Sequence, residues 1–306
     1  MGSVPAGGQA PRVGFIGFGA VASTFARSMV ARGAEVYAYD VLLERENGRE
    51  MLARRAGGSE VQLLPLAEMV SQVTYVLSTN AAHVALPVAE QCAPLLRPGQ
   101  AYVDLNSTSP QVKRQIHDAI TPSGVDYVEG AILDAVGAAG SDAQILLGGP
   151  HAAQVADALR GLGLNAAAFS GEIGPASTLK MLRSVFSKGM EALLIECLVA
   201  ARRAGLQEAV WDIVTDTMAG ASFDVQAENW VRTHASAHGR RYHEMVQVED
   251  TIRDLGLRPV MTAATRAIFA RSQGLGLGDA FPHGADTMDA VIGFLERQLG
   301  SSDASE

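Results

Sequence analysis

A glycine-rich turn between two short apolar segments constrains the fold more than any other stretch. Residues 13–16 predict a strand, and GFGAVA follows at positions 17–22. An amphipathic helix then ends near Gly33, and a second predicted strand, residues 35–39, is followed by Asp40. A G-x-G-x-x-A sequence that follows a strand, opens a helix and precedes an acidic residue about 20 positions later is the dinucleotide-binding fingerprint. The chain is therefore predicted to begin with a βαβ unit that binds a nicotinamide dinucleotide.

Positions in this turn have separate physical tasks. Gly17 permits the tight turn, Gly19 lets backbone N–H groups approach a pyrophosphate, and Ala22 allows close packing of helix against strand. The helix N-terminus adds partial positive charge for the phosphates. Asp40 can accept from ribose hydroxyls and would repel a 2′-phosphate, which favours NAD, while Arg45 keeps NADP open. The predicted cofactor contacts here are Gly17, Phe18, Gly19, Ala20, Val21 and Asp40.

Further alternation of strands and helices predicts a parallel sheet with ligand-binding loops along one edge. A charged, helical segment at 44–56 ends in a turn at 57–59, and residues 73–78 predict the next strand. Ligands bind outside the carboxyl ends of strands in open α/β sheets. The end of this strand and its loop are therefore predicted to contact the cofactor, and His83 is interpreted as a surface histidine. The predicted contacts are Ser78, Thr79 and Asn80.

The sequence NSTSP at 106–110 follows another predicted strand, residues 101–105. One interpretation is ordinary helix capping, with a hydroxyl at the N-cap and Pro110 in the first turn. The other is that free hydroxyls and N–H groups at a helix start hold a substrate carboxylate. Both can hold together, so Ser107 and Thr108 are candidate substrate contacts.

Residues 176–204 predict one long helix, because the stretch has no proline and only Gly189 interrupts its mostly apolar composition. A helix that is apolar nearly all round is expected to be buried. Its polar exceptions are spaced four, three and four residues apart, which puts them on one face: Lys180, Ser184, Ser187 and Glu191. The pattern alone leaves two interpretations of Lys180 open, a solvated lysine or a functional group.

Composition limits the classes of function. The 306 residues suit two domains, and the formal net charge of −9 comes without a Lys/Arg block that could bind nucleic acid or an acidic membrane. A small molecule is the expected partner. Cys92 and Cys197 form neither a disulfide framework nor a zinc cluster, so a reducing cytoplasm is expected, and no His/Asp/Glu set has metal-ligand spacing. Residues 1–10 are predicted to be a flexible tail, and no apolar run reaches the length of a membrane span.

After two late strands, the rest of the sequence predicts helices alone. Late strands are expected at 144–150 and 165–169, and the helices after the long one are predicted at 207–218, 223–234, 241–255, 259–272 and 285–299. The basic sequence HGRRYH at 238–243 is either an exposed helix start with paired arginines or a site for the distal anion of a substrate. Arg240 and His243 are therefore candidate substrate contacts.

Three separated motifs resemble the β-hydroxyacid dehydrogenase family, which includes 3-hydroxyisobutyrate and 6-phosphogluconate dehydrogenases. These are GFGAVA at 17–22, DLNSTSP at 104–110, which resembles D-x-S-T-x-x-P, and GEIGPASTLK at 171–180, which resembles G-x-x-G-x-G/A-x-x-x-K. The resemblance covers nearly the whole chain. It implies a Rossmann domain at 11–171 and an all-helical substrate and dimerisation domain at 172–301, with the active site in the cleft between them. It also implies a dimer interface on the long helix, and it adds Asn106 to the cofactor contacts.

Two segments depart from the family pattern. Ser184 stands where the family usually has asparagine, and the family's D-A-P-V-S-G-G segment, which contributes substrate contacts, is EGAILDA at 129–135. Leu133 and Asp134 are the candidate contacts there. The chain therefore resembles a divergent branch with its own C-terminal helical domain.

Together these features predict an oxidoreductase that transfers hydride between NAD, or NADP, and a small polar 3-hydroxyacid-like substrate with an anionic group. Lys180 is the predicted general acid/base, and Ser184 is predicted to orient the substrate. One alternative is a decarboxylating enzyme of the 6-phosphogluconate type. Another is an imine reductase, against which Lys180 argues because such enzymes often lack the lysine. A third is a non-catalytic nucleotide sensor. A cytoplasmic homodimer is expected.

Overall fold

The computed structural model describes residues 10–302, and the first half of the chain forms one eight-stranded sheet. Its strands are β1 (Arg12–Ile16), β2 (Glu35–Tyr39), β3 (Val61–Leu63), β4 (Tyr75–Ser78), β5 (Ala101–Asp104), β6 (Asp126–Ile132), β7 (Ile145–Gly148) and β8 (Ala166–Ser170). They lie in the order β3-β2-β1-β4-β5-β6-β7-β8. Every neighbouring pair is parallel except β6 and β7, which are antiparallel. The predicted α/β class with a mostly parallel sheet is confirmed.

Helices connect the strands, as the alternation predicts. They are α1 (Ala20–Ala31), α2 (Gly48–Ala56), α3 (Leu66–Gln72), α4 (Ala85–Cys92), α5 (Pro110–Ile120), α6 (Val136–Ala139) and α7 (Ala152–Gly161). The helix predicted at 44–56 starts only at Gly48, because Val41–Glu44 form a separate 3-10 turn that Asp40 caps. The sequence patterns gave no strand prediction for β3 and β6.

Alternate residues of the central strands fall into two separate buried clusters. Phe15 and Leu77 belong to one cluster, and their neighbours Ile16 and Val76 belong to the other. Successive side chains of a strand point to opposite faces, and a parallel sheet is buried on both. The apolar runs of β1 and β4 are therefore explained by two covered faces, which hold the strand ends in place.

The long helix is α8 (Pro175–Arg203), and the chain divides into two compact units inside it, between Val185 and Phe186. The expectation that this helix is buried is wrong for the single chain. Leu182 and Val185 are 65% and 73% exposed, and Ile195 is 59% exposed. The periodic pattern identified the helix, but apolar composition alone did not tell which surface covers it. The predicted domain boundary at 171 stays a prediction.

The second unit is helical throughout the described part of the chain. After α8 it contains α9 (Gln207–Ala219), α10 (Phe223–Asp254), α11 (Met261–Gly274), α12 (Leu277–Ala280) and α13 (Met288–Ser302). The prediction of separate helices at 223–234 and 241–255 is wrong, because α10 is continuous. Gly239 does not end the helix. Glycine inside a helix lowers its stability by only about 1 kcal/mol relative to alanine. Among residues 10–302 no helix combines the length and apolar run needed to cross a bilayer. The cytoplasmic location stays a prediction.

Candidate functional site

Gly17 follows β1 and turns the chain toward α1 in a conformation that few residues adopt. Its φ is +86°, and a Cβ atom there would lie 2.6 Å from Asn80 Oδ1 and 2.9 Å from the Thr79 carbonyl oxygen. The Gly17 N–H donates to the Tyr39 carbonyl at 2.8 Å. Glycine is required here both by the left-handed φ and by the close approach of the loop after β4.

Gly19 leaves open space at the N-terminus of α1. A Cβ atom at this residue would have no heavy atom within 4 Å, and no side chain caps the first N–H groups of the helix. Ala20 and Val21 line a cavity of about 330 Å³. An uncapped N-terminus beside a cavity offers N–H donors and partial positive charge to an anion. These residues therefore fit the pyrophosphate of a dinucleotide.

Asp40 holds the glycine-rich turn as well as the loop after β2. Its Oδ2 accepts from the Phe18 N–H at 2.8 Å, and its Oδ1 accepts from the Leu42 N–H at 2.9 Å. The Phe18 carbonyl accepts from Arg55 Nη1 at 3.2 Å, a contact that the sequence did not predict. A carboxylate has about four lone-pair sites, so acceptor capacity remains for ribose hydroxyls. That role of Asp40 stays a prediction.

Polar side chains at the carboxyl ends of β4 and β5 form one hydrogen-bonded group. Asn106 is buried, and its Nδ2 donates to Ser78 Oγ at 2.8 Å and to Asp104 Oδ1 at 2.7 Å. Its Oδ1 accepts from the Asn80 N–H at 2.5 Å. Both of the predicted residues Ser78 and Asn80 are therefore tied to Asn106. Because its two N–H groups are used within the protein, Asn106 shapes the loop, and its direct contact with the cofactor stays a prediction.

A buried ion pair, which no sequence pattern predicted, supports this group. Lys113 Nζ of α5 lies 3.0 Å from Asp104 Oδ2, and both side chains are almost fully buried. Nζ also donates to the Asp104 carbonyl at 2.8 Å, and the Tyr127 hydroxyl donates to Asp104 Oδ2 at 3.2 Å. Burial and the neighbouring Asp104 charge raise the pKa of Tyr127. Helical spacing could have revealed Lys113, because it shares the buried face of α5 with Ile116 and Ile120.

The cavity at the α1 N-terminus brings predicted site residues from separate motifs together. Lys180 of α8 is half-buried and lines it. The other predicted residues that line the same cavity are Ala20, Val21, Thr79, Asn80, Asn106, Ser107 and Asp134. These positions are distant in sequence, and they meet because parallel strands end at one edge of the sheet. The fold thus joins the dinucleotide motif, the NSTSP motif and the lysine of α8.

Three predicted substrate residues of the first unit, Ser184, Thr108 and Leu133, do not line this cavity. Ser184 Oγ donates at 2.8 Å to a carbonyl of its own helix, four residues earlier. Thr108 is buried, and its hydroxyl makes no hydrogen bond with the described residues. The Leu133 carbonyl accepts from Arg183, whose guanidinium also lies 3.9 Å from Asp134. The substrate roles of these residues stay predictions.

Glu129 of β6 fixes the N-terminus of α8, a function that the sequence analysis did not assign. The side chain is fully buried, and its Oε1 accepts from the Gly174 N–H at 2.7 Å and from the Ala176 N–H at 3.0 Å. Its Oε2 accepts from the Ser177 hydroxyl at 2.8 Å. A carboxylate inside a buried strand was the available signal, because a buried charge requires partners.

The two candidate contacts from the basic sequence at 238–243 lie on α10 in the second unit. Arg240 is exposed and forms an ion pair with Glu244, one of the partners expected under the structural interpretation. His243 is also exposed. Their role as substrate contacts stays a prediction. Across residues 10–302, no group of three or more His, Cys, Asp or Glu side chains is placed to hold a metal ion.

Comparisons with known proteins agree with this geometry. Residues 12–168 match the model of the NAD binding domain of 6-phosphogluconate dehydrogenase, and residues 201–272 match a domain of unknown function, DUF1932. The chain is 23% identical to a 2-(hydroxymethyl)glutarate dehydrogenase of Eubacterium barkeri, over 95% of this chain and 97% of that protein. The predicted nicotinamide cofactor is confirmed at the level of an NAD-binding domain.

Two solved structures extend the comparison to the whole fold. One is a conserved protein of unknown function described as structurally similar to 3-hydroxyacid dehydrogenases, with 34% identity, a TM-score of 0.56, and coverage of 88% of this chain and 97% of that chain. The other is an imine reductase from Myxococcus stipitatus in complex with NADP⁺, with 18% identity, a TM-score of 0.73, and coverage of 93% and 100%. The protein therefore belongs to the family defined by the NAD-binding domain of 6-phosphogluconate dehydrogenase, as a divergent, 3-hydroxyacid dehydrogenase-like member with its own C-terminal helical domain.

Proposed function

We propose that this protein is an NAD(P)-dependent oxidoreductase that acts on a small polar 3-hydroxyacid-like substrate with an anionic group. The observation that carries the proposal is the position of Lys180. It is half-buried and lines the same cavity as Ser107 and the N-terminus of α1. When bound, the nicotinamide ring supplies the carbon that accepts or donates hydride. The protein must then position the substrate and transfer one proton.

Lys180 is proposed to accept and donate that proton. In oxidation its neutral Nζ accepts the proton of the substrate hydroxyl, and in reduction it returns the proton to the carbonyl oxygen. Ser107, with the N–H groups at the start of α5, is proposed to hold the substrate carboxylate. Thr108 and Ser184 are proposed to support the same contacts from beside the cavity.

Absorbance of reduced nicotinamide tests the proposal directly. Purified protein is assayed with NAD and NADP against 3-hydroxyacids, sugar acids, and phosphonate and sulfonate analogues. Lys180→Ala is expected to lower turnover about 100-fold or more, since general acid–base catalysis contributes about 10²–10⁴-fold. Lys188→Ala is the matched control, because Lys188 is exposed on the same helix. Turnover that survives Lys180→Ala would sink the assignment of the proton to this lysine.

A carbon–nitrogen double bond is the second candidate for the reacting group. Asp134 lines the cavity, and its carboxylate favours a cationic iminium over a second substrate carboxylate. The imine reductase that shares the fold supports including this class, while Lys180 argues for the hydroxyacid. Adding cyclic imines to the panel separates the two. Reduction of imines that persists in Lys180→Ala, with no hydroxyacid turnover, would favour this candidate.

Cofactor preference and assembly complete the proposal. Asp40 is proposed to favour NAD over NADP, and the ratio of kcat/KM values for the two cofactors measures this preference.

A homodimer is proposed because large apolar side chains on α8 are exposed in the single chain. Cofactor binding without turnover on any substrate of the panel would instead favour the nucleotide sensor.

A further inference from the structure

Two buried carboxylates stand side by side in the sheet, and each has its own compensating charge. Asp104 of β5 and Glu129 of β6 are paired in register. Asp104 is balanced by the Lys113 ammonium. Glu129 takes its hydrogen-bond donors from the N-terminus of α8. A helix N-terminus carries about half a positive charge, which stabilises a carboxylate.

The hydrogen bonds of Glu129 lie at the N-terminal end of the helix that carries Lys180. Its carboxylate accepts from the N–H groups of Gly174 and Ala176 and from the Ser177 hydroxyl. Gly174 directly precedes α8, Ala176 and Ser177 lie in its first turn, and Lys180 follows five residues after Pro175 in the same helix. At 1.5 Å per residue this separation is about 7.5 Å along the axis, within a rigid hydrogen-bonded segment. A shift or rotation of the first turn would therefore move Lys180 relative to the cavity.

We propose that Glu129 is a positioning residue that sets the place of Lys180 in the cavity by fixing the first turn of α8. The proposal rests on the proposed function of Lys180 as the proton-transferring group. Three donors surround the two oxygens of Glu129, which an ionised carboxylate satisfies because it only accepts. Glutamine keeps one acceptor oxygen, and the Ser177 hydroxyl is already within 2.9 Å of a second acceptor, the Gly174 carbonyl. Glutamine should therefore restore part of the contact, and alanine none.

The second unit supplies a matched control. Glu196 accepts from the N–H groups of Val260, Met261 and Thr262 and from the Thr262 hydroxyl, at the start of α11. This contact has the same kinds of donor as that of Glu129, and although Glu196 lies on α8, it follows Lys180 by 16 residues and fixes α11, which carries no residue proposed for the reaction. Glu196→Gln therefore reports what loss of such a cap does to the protein in general.

The first measurement compares kcat, KM and cofactor dissociation constants of Glu129→Gln, Glu129→Ala and Glu196→Gln. A displacement of about 1 Å can cost about 100-fold in rate, so Glu129→Ala is expected to lower kcat about 100-fold and Glu129→Gln about tenfold. The dissociation constant of the cofactor should stay within about twofold, because the α1 N-terminus is untouched. Glu196→Gln should leave kcat unchanged. An equal loss of kcat in Glu196→Gln and Glu129→Gln would overturn the proposal.

The second measurement needs no substrate. Lys113, Lys180 and Lys188 are the lysines of the chain, and they are fully buried, half-buried and exposed respectively. The rate at which an amine-acylating reagent labels Lys180, relative to Lys188, is expected to rise in Glu129→Gln and to stay constant in Glu196→Gln. Hydrogen exchange at Gly174 and Ala176 should accelerate in Glu129→Gln alone. Unchanged labelling and exchange in a folded Glu129→Gln protein would overturn the positioning role.

The two measurements distinguish failure of the proposed function from failure of the positioning role. If the wild-type protein turns over no substrate, the proposed function fails, while labelling and exchange still decide whether Glu129 fixes Lys180. If Glu129→Ala does not fold, Glu129→Gln carries the test. Normal turnover in Glu129→Gln together with wild-type labelling would refute the positioning role and leave the proposed function standing.

Discussion

The two units of this chain bury their apolar residues to very different extents. In the first unit, strand residues such as Phe15 and Tyr102 are fully covered within two large clusters. In the second, the buried cluster consists of Ala235, Leu277, Ala285 and Val291 with a few partly buried neighbours. Most of the large exposed apolar side chains belong to the second unit, including both tryptophans, Trp211 and Trp230.

This difference separates a self-sufficient fold from one that offers surface to a partner. A parallel sheet with helices on both faces covers its own apolar strands. Helices without such a sheet bury only the stripes that face one another, and the remaining apolar stripes stay in water. Large exposed apolar patches mark interaction surfaces. A second copy of the chain is the partner proposed above, and the comparison predicts that the second unit depends on it more than the sheet of the first unit does.

The largest effect is expected at the ion pair of the first unit. Lys113→Ala leaves Asp104 as a buried charge without its ammonium partner, and breaking such a pair costs about 3–5 kcal/mol in the free energy of unfolding. Urea unfolding measures this loss through the tyrosine signal, because Tyr102 and Tyr127 lie in the first unit. Lys188→Ala, at an exposed lysine, should stay within about 0.5 kcal/mol. A loss below 1 kcal/mol in Lys113→Ala would show that the first unit does not rely on this pair.

The next effect concerns assembly and applies to the second unit. Ile195 of α8 is 59% exposed and lies in the second unit, and Ile195→Lys would place a charge on the proposed apolar interface. The dissociation constant of the homodimer is expected to rise about 100-fold, which corresponds to about 2.7 kcal/mol. Sedimentation velocity over a range of concentrations measures it. Val41→Lys is the control in the first unit, where Val41 is 55% exposed. If both variants raise the dissociation constant of the homodimer equally, the proposed difference between the two units is contradicted.

A smaller effect is the pH dependence of the second unit. Burial, together with the nearby charges of His238 and Arg241, lowers the pKa of His234 from 6.5 to about 4. The unfolded state therefore binds this proton first, so the free energy of unfolding contributed by His234 is present above pH 6.5 and is lost as the pH falls toward about 4. Tryptophan fluorescence during urea unfolding at several pH values checks it. His234→Gln should flatten the slope in this window.

The smallest effect is expected at the surface of α10. Arg240 and Glu244 form an exposed ion pair, and such pairs contribute about 0–1 kcal/mol to stability. Arg240→Ala should therefore change the free energy of unfolding by less than about 1 kcal/mol. If Arg240 also contacts the distal anion of the substrate, KM should rise while kcat stays constant. An unchanged KM would contradict the predicted substrate contact.

Local patterns in the sequence predicted the elements that function requires, and they failed where a residue depends on distant neighbours. The glycine-rich turn and the start of α8 follow from local chemistry, so they were predictable. Lys113 and Glu129 are charged residues of types that proteins normally expose, and only their partners on other elements make their burial acceptable. The length of α10 was missed because Gly239 has the residue type of a helix stop but not the context.

The sequence by itself determined the α/β class, the dinucleotide-binding turn and the helix that carries Lys180, because periodicity, glycine positions and capping chemistry act over a few residues. Tertiary structure alone decided that Asn80, Asn106, Ser107 and Lys180 line one cavity, and that Asp104 and Glu129 are buried with separate partners. Those relations depend on which strand lies beside which and on where each strand ends. These relations join residues as far as 160 positions apart in sequence, such as Ala20 and Lys180, and no local pattern records them.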